Sequence, residues 1–306
     1  MSNISIIVPV YNSEQTLSEL VERLERVLSS ISKFEVILVN DGSRDNSWKV
    51  INELSLKYNF VRGIDMMTNF GQHNALLFGI RAAKGETIIT MDDDLQNPPE
   101  EIPALLIKLE QGYDVVYGTP EKQRHGLFRD LASSITKLTL QGAMGIENAT
   151  NISAFRAFRT KLREGFSEYN NSYVCIDVLL SWVTRKFTYV IVKHDTRKHG
   201  VSNYTMRKLL THAVNMFTGF SAVPLQLASI IGFVFMIFGF CVFGYVVAHY
   251  FIYGGLVPGF TFLAGAISLF SGVQLFTLGI IGEYLSRIHF RSMGKSAGLV
   301  RQTINF

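Results

Sequence analysis

The chain has 306 residues, 48% of them hydrophobic and 18% charged, which is more apolar and less charged than an average soluble protein. The net charge of +4 suits a partner with negative charge, and two cysteines, Cys175 and Cys241, are too few for a disulfide framework or a cysteine-based metal cluster. The opening MSNISIIVPVYN has neither the basic start nor the long apolar core of a signal peptide.

Ile4–Val8 reads as a strand, and Glu14–Ile31 as a helix with Leu17, Leu20, Val21, Leu24 and Leu28 on one face and Asn12 as N-cap. Phe34–Val39 is a second strand, ending in Asn40-Asp41-Gly42-Ser43, and a helix follows to Tyr58. Val61–Met66 is the third strand, His73–Ala83 a helix, Thr87–Met91 the fourth strand, Glu100–Gln111 a helix and Val115–Tyr117 a fifth strand. Strands alternating with helices imply an α/β fold, a mostly parallel sheet with helices on both faces. In such sheets ligands sit beyond the carboxyl ends of the strands. Tyr11 and Asn12, Asp41, Asn69 and Asp92–Asp94 all fall at those ends, so one cleft can gather them.

From Leu225 to Ile281 there is no Lys, Arg, Asp or Glu. Two apolar blocks, 225–252 and 260–282, each exceed the roughly 20 residues that cross a bilayer core. The connector YGGLVPG between them is short and rich in breakers, so the blocks make a hairpin with both outer ends on one side. Arg207 and Lys208 precede it and Arg287, Arg291, Lys295 and Arg301 follow it, while the connector carries no basic residue. That asymmetry puts the long N-terminal domain and the tail in the cytoplasm. A nucleic-acid binder would share the positive sign, but the hairpin makes lipid the better partner. The expected division is a cytoplasmic domain over 1–195, a basic amphipathic juxtamembrane segment over 196–224, the hairpin over 225–285 and a cytoplasmic tail over 286–306.

The fourth strand runs into Asp92, Asp93 and Asp94, then Gln96 and Pro98-Pro99. A D-x-D pair beside a ligand edge suits a hard cation, Mg²⁺ or Mn²⁺, held by one or two carboxylates plus phosphate oxygens. Asp92 and Asp94 would share it, with Gln96 adding a neutral oxygen. A solvated acidic turn capping the helix at Glu100 is the other reading, and spacing alone leaves both open. No G-x-G-x-x-G follows the first strand and no G-x-x-x-x-G-K-[ST] is present, which removes dinucleotide and P-loop binding.

The stretches SIIVPVYN, VNDGSRDNS, NFGQHNALLFGI, MDDDLQNPPEEI, GVSNY and LGIIGEYLSRI resemble family 2 glycosyltransferases of the polyprenyl-phosphate type, which include dolichol-phosphate mannose synthase and the undecaprenyl-phosphate sugar transferases. NFGQHNALL and DLQNPPEEIP are most similar to the aminoarabinose-type transferases. The resemblance covers nearly the whole chain. It implies a GT-A fold, a nucleotide-sugar donor (usually a UDP-sugar), a divalent cation and a polyprenyl phosphate acceptor at a bacterial inner membrane. It also implies assembly into oligomers, commonly tetramers. Pro9, Tyr11, Glu14 and Asp92 would line the nucleotide pocket and Asp41 would contact the uridine. Asp92, Asp94 and Gln96 would hold the cation, with Asp94 central to catalysis. Asp93, commonly a small residue in the family, would be a surface acid or a support for the backbone.

On the acceptor side, the E-D pair and the Q-x-x-R-W motif of related processive synthases are absent. A lipid phosphate has a second pKa near 6 and needs cations to position it more than a base to activate it. Arg197, Ser202 and Tyr204 match the family's R-x-x-G-x-S-K-Y segment, and Arg124 and Arg129 lie in a loop after the fifth strand, where either would clamp phosphate. Many bacterial members carry an aspartate just before the pair matching Phe155-Arg156; here the segment reads NATNISAFR, without one. Arg156 is then a catalytic, phosphate-binding candidate, and Asp94 or Asp177 the remaining acids for a base. His73 reads as a packing residue and Glu283 as the i,i+4 partner of Arg287. The expected activity is inverting transfer of a sugar to polyprenyl phosphate. Transfer to a lipid or glycan hydroxyl, and a non-catalytic scaffold on the same fold, are the alternatives.

Overall fold

The computed structural model describes residues 3–120, 151–171, 174–195, 223–253, 259–293 and 296–306. The chain divides into two compact units, residues 1–213 with 294–306, and residues 214–293.

The first unit is built on an eight-stranded sheet. In chain order its elements are β1 (Ile4–Val10), α1 (Leu17–Leu28), β2 (Phe34–Asn40), α2 (Ser47–Lys57), β3 (Val61–Met66), α3 (Gln72–Ala82), β4 (Thr87–Thr90), α4 (Ile102–Glu110), β5 (Val115–Pro120), β6 (Arg156–Arg159), α5 (Ile176–Val183), β7 (Phe187–Val192) and β8 (Val300–Ile304). The strand order is β7-β5-β6-β4-β1-β2-β3-β8. β1, β2, β3 and β4 pair in parallel, and β6 and β8 run antiparallel to their neighbours.

Successive side chains of a strand point to opposite faces, and here both faces are buried. Ile6, Val8, Val36 and Leu38 join Leu17, Leu20, Val21 and Leu24 of α1, Ile51 of α2, and Leu105 of α4 in one core. Ile7, Ile37 and Val39 join Leu76, Leu77 and Ile80 of α3, and Leu179 of α5 in the other. This explains the unbroken apolar run of β1, where a sheet with one wet face would alternate. Gly79 lets α3 lie close on the sheet, since a Cβ there would strike Ile7.

The elements through β5 follow the sequence expectation, with ends shifted by a few residues. Asn12 does not cap α1: it lies in a left-handed turn (φ 55°), and the helix begins after Thr16. The tail expected as a separate cytoplasmic segment includes a strand of the sheet. Met67 donates its N–H to Leu299 O (2.8 Å), Arg301 donates to Met67 O (3.0 Å), and Asn305 donates to Ser55 O and Val61 O.

The second unit holds α6 (Val223–Tyr253) and α7 (Phe260–Ser292). The spans Leu225–Ile252 and Leu269–His289, with mean hydropathy 2.6 and 1.2, are long and apolar enough to cross a membrane. The two helices touch where Phe270 of α7 meets Phe235 and Phe238 of α6. Arg287 donates to Glu283 Oε1 (2.6 Å), the i,i+4 pair read from the sequence.

Candidate active site

The connection order places a switch point in the sheet. From β1 the chain moves outward through β2 to β3, then returns to the other side of β1 as β4. The crevice beyond the carboxyl ends of β1 and β4 is where such sheets take ligands, and the loops leaving β1, β2, β3 and β4 meet around it.

The loops after β1 and β2 are knitted together. Asn12 N–H donates to Ser43 Oγ (3.0 Å), Arg44 N–H to Asn12 Oδ1 (2.8 Å), Ser13 N–H to Ser47 Oγ (2.8 Å) and Asn46 N–H to Glu14 Oε2 (2.9 Å). Glu14 therefore braces the α2 entrance, and Pro9 is buried within β1 opposite Val39. Tyr11, 40% exposed, is the member of this group that presents a large surface to a ligand.

Asp41 is 3% exposed and accepts the N–H groups of Phe70 (2.7 Å) and Gly71 (2.9 Å). Burial pushes its carboxyl above the ordinary range, against the pull of those two donors. It holds the β3–α3 loop in place. Gly42 (φ 66°) lies beneath that loop, where a Cβ would come within 2.6 Å of Asn69 N. One residue back, Asn40 donates to Asp65 Oδ1 (2.7 Å).

The three acids after β4 serve three different neighbours. Gln72, the first residue of α3, donates its side-chain amide to Asp92 Oδ1 (2.5 Å). Asp93 Oδ2 accepts Tyr11 N–H (3.2 Å) and Ser13 O–H (2.5 Å). Asp94 Oδ1 accepts Gln96 N–H (3.1 Å). Burial pushes the Asp93 carboxyl up to about 6, with nearby Asp94 adding to the rise. Leu95, in the left-handed region (φ 61°), drops a 2% exposed side chain into the core and turns the loop back. Asp195 N–H donates to Gln96 O (2.9 Å), so the chain leaving β7 passes the acidic loop. Partly exposed carboxylates at a crevice, with side-chain and backbone amides fixing their orientation, fit a hard divalent cation. Glu100, at the start of the following helix, pairs with Arg23 (2.6 Å).

Arg156 corrects a sequence expectation. It is 2% exposed, donates Nε–H to Thr90 Oγ1 (3.0 Å) and pairs through Nη1 with Asp177, which is 5% exposed. Tyr117 O–H also donates to Asp177 (2.9 Å). The guanidinium is thus a buried tie between β4, β5, β6 and the start of α5, not a phosphate ligand, and Asp177 is no free base. The sequence reading took Arg156 as a catalytic, phosphate-binding candidate. The short strand RAFR, wedged between β4 and β5, buries its first residue instead.

His73 Nδ1 accepts Ile176 N–H (3.4 Å), which agrees with a packing role. His73, Cys175 and Asp177 bring three possible ligand atoms within 4.8 Å of one another. Asp177 is committed to Arg156 and Tyr117, and burial pushes the Cys175 thiol up to about 12. Arg124, Arg129, Arg197, Ser202, Tyr204, Arg207 and Lys208 lie outside the described residues. Gln72 and Ser13 were missed as site residues. The signal for Gln72 was topological: it opens the helix that follows the third parallel strand, so it belongs at the ligand edge.

Residues 5–166 match the family described as Glycosyl transferase family 2. The chain is 32% identical over 293 residues to the undecaprenyl-phosphate 4-deoxy-4-formamido-L-arabinose transferase of Proteus mirabilis, covering 94% of this chain and 90% of that protein. It is 32% identical to the protein of the same name from Pectobacterium atrosepticum, covering 100% and 94%. Among solved structures, glucosyl-3-phosphoglycerate synthase from Mycobacterium tuberculosis, in complex with Mn²⁺, UDP and glucosyl-3-phosphoglycerate, is similar with a TM-score of 0.52 and 16% identity over 71% of this chain and 78% of that one. A likeness at that identity speaks to the fold.

Proposed function

The chain belongs to glycosyl transferase family 2, and on that premise we propose that it moves a sugar from a nucleoside-diphosphate donor, a UDP-sugar, to undecaprenyl or another polyprenyl phosphate. The observation that carries this reading is the meeting of the loops after β1 and β3 with the Asp92–Asp94 turn after β4 at the sheet's switch point. Similarity over nearly the whole chain to undecaprenyl-phosphate sugar transferases supports the acceptor.

Tyr11 meets the nucleotide base, Asp41 serves it through the β3–α3 loop, and Pro9 and Glu14 shape the floor beneath. Asp92, Asp94 and Gln96 are the residues to hold a divalent cation. There the charge that develops on the departing diphosphate would be met by a Lewis acid. The acceptor phosphate is largely dianionic near neutral pH and attacks without losing a proton. Its oxygen forms the new bond to the anomeric carbon as the bond from that carbon to the diphosphate breaks, which inverts the anomeric centre. The backbone link from Asp195 to Gln96 supports an acceptor segment that begins at the cation loop, with Arg197, Ser202 and Tyr204 just beyond it in the chain. Arg124 is a further phosphate clamp by sequence position. The two apolar helices and the basic residues flanking them support a catalytic domain on the cytoplasmic side of a bacterial inner membrane.

The test is transfer in detergent with undecaprenyl phosphate, Mg²⁺ or Mn²⁺, and labelled UDP-sugars including UDP-4-deoxy-4-formamido-arabinose. The expected outcome is a chloroform-soluble product with one donor, at least about 100-fold less of it in Asp94→Asn, and none with EDTA. Undiminished product in Asp94→Asn, or product only with a hydroxyl acceptor, overturns the reading.

A further inference from the structure

Beyond the donor and cation assignments, the three acids after β4 differ in what their geometry commits them to. Asp92 answers to α3 and Asp94 to its own loop, while Asp93 reaches across the switch point to the loop after β1. A single oxygen, Oδ2, takes both the Tyr11 N–H and the Ser13 O–H. Between those two donors lies Asn12, a non-glycine residue with φ 55°. Such a conformation persists only where its surroundings fix it. On the far side Asn12 is held by Ser43 and Arg44, and the Ser13 N–H by Ser47; on the near side Asp93 takes the Tyr11 N–H and the Ser13 hydroxyl. Tyr11, the exposed ring of this loop, has its backbone fixed by the same carboxylate.

We infer that Asp93 is a positioning residue that locks the Tyr11–Ser13 loop onto the cation loop and so sets the shape of the nucleotide pocket, without being a cation ligand itself. The inference rests on the proposed function for the identity of the ligand, but the lock is a property of the protein alone. An acceptor at Oδ2 is what the lock needs, so asparagine, whose amide oxygen can accept the same two donors without the charge, restores most of it. A carboxylate ligand to a hard cation is weakened by that exchange, because the anionic charge is lost.

The experiment uses the full-length protein in detergent and the variants Asp93→Ala, Asp93→Asn and Ser13→Ala. Hydrogen exchange over residues 10–16, without nucleotide, reads the lock. UDP titrated in the presence of Mn²⁺ by calorimetry, and donor KM against kcat in transfer, read the pocket. Asp93→Ala is expected to speed exchange at Tyr11–Ser13, weaken UDP about tenfold and raise donor KM by a similar factor, with kcat changed less than about threefold. Asp93→Asn restores slow exchange and brings affinity to within about threefold of wild type, and Ser13→Ala falls between. Unchanged exchange in Asp93→Ala overturns the lock. Asn behaving as Ala, with a raised Mn²⁺ requirement, overturns it in favour of a cation ligand. Should Asp93→Ala fail to fold, the Asn and Ser13 variants carry the same comparison. Wild type that binds no UDP refutes the proposed donor, while exchange at Tyr11–Ser13 still decides the lock.

Discussion

Replacing Arg156 with methionine separates a structural tie from a substrate ligand. The substitution keeps much of the side chain's length and removes the charge. Asp177, 5% exposed, then faces the interior with Tyr117 as its remaining side-chain donor shown here. Breaking a buried pair by removing one partner costs about 3–5 kcal/mol, because the other charge is left uncompensated. With a urea dependence of about 2–3 kcal/mol per molar, the midpoint should fall by roughly 1–2 M. Both tryptophans, Trp48 in α2 and Trp182 in α5, belong to the sheet domain, so intrinsic fluorescence in detergent reports that domain without a signal from the apolar helices. Replacing the whole network, Arg156→Met with Asp177→Leu and Tyr117→Phe, should recover most of the loss, since an apolar set of similar volume removes the buried charge and the orphaned hydroxyl together. A midpoint unchanged in Arg156→Met, with transfer abolished, would refute this reasoning and return Arg156 to the phosphate.

Gly42→Ala should destabilise the sheet domain by about 1–3 kcal/mol, through its left-handed backbone and the clash with the β3–α3 loop, as read by the same urea titration. Deleting residues 299–306 removes β8 and its hydrogen bonds to Met67, Ser55 and Val61; a fall of several degrees in Tm and an aggregation-prone β3 edge are expected, measured by thermal melting and light scattering. Burial works upward on Asp45, but hydrogen bonds from Ser47 and the Glu14 N–H outweigh it and hold its carboxyl below the ordinary range. A depressed carboxyl stabilises the fold above the unfolded pKa and loses that contribution as pH falls through the folded one. Asp45→Asn should therefore lower the urea midpoint at pH 7 and do so progressively less below about pH 4, read by urea midpoints across pH.

The linear pattern of residues carried the parallel half of this protein. Strands β1 to β5, and the helices after the first four, are legible because each buries a periodic apolar face and each connection is short. The same regularity located the strand ends, hence Tyr11, Asp41 and the acidic turn, at one edge. The two apolar helices were legible from length and lack of charge, both of which are properties of composition. What the linear pattern could not carry is pairing between distant segments. RAFR is four residues with charged ends, and only its insertion between β4 and β5 makes Arg156 a core residue. VRQTI reads as a polar tail, and only the open edge of β3 makes it a strand. Nor does D-D-D reveal that its three carboxylates part company. Repulsion between neighbouring acids demands separate partners, but it is the return of the chain to the far side of β1 that brings Ser13 and Tyr11 to Asp93 and Gln72 to Asp92.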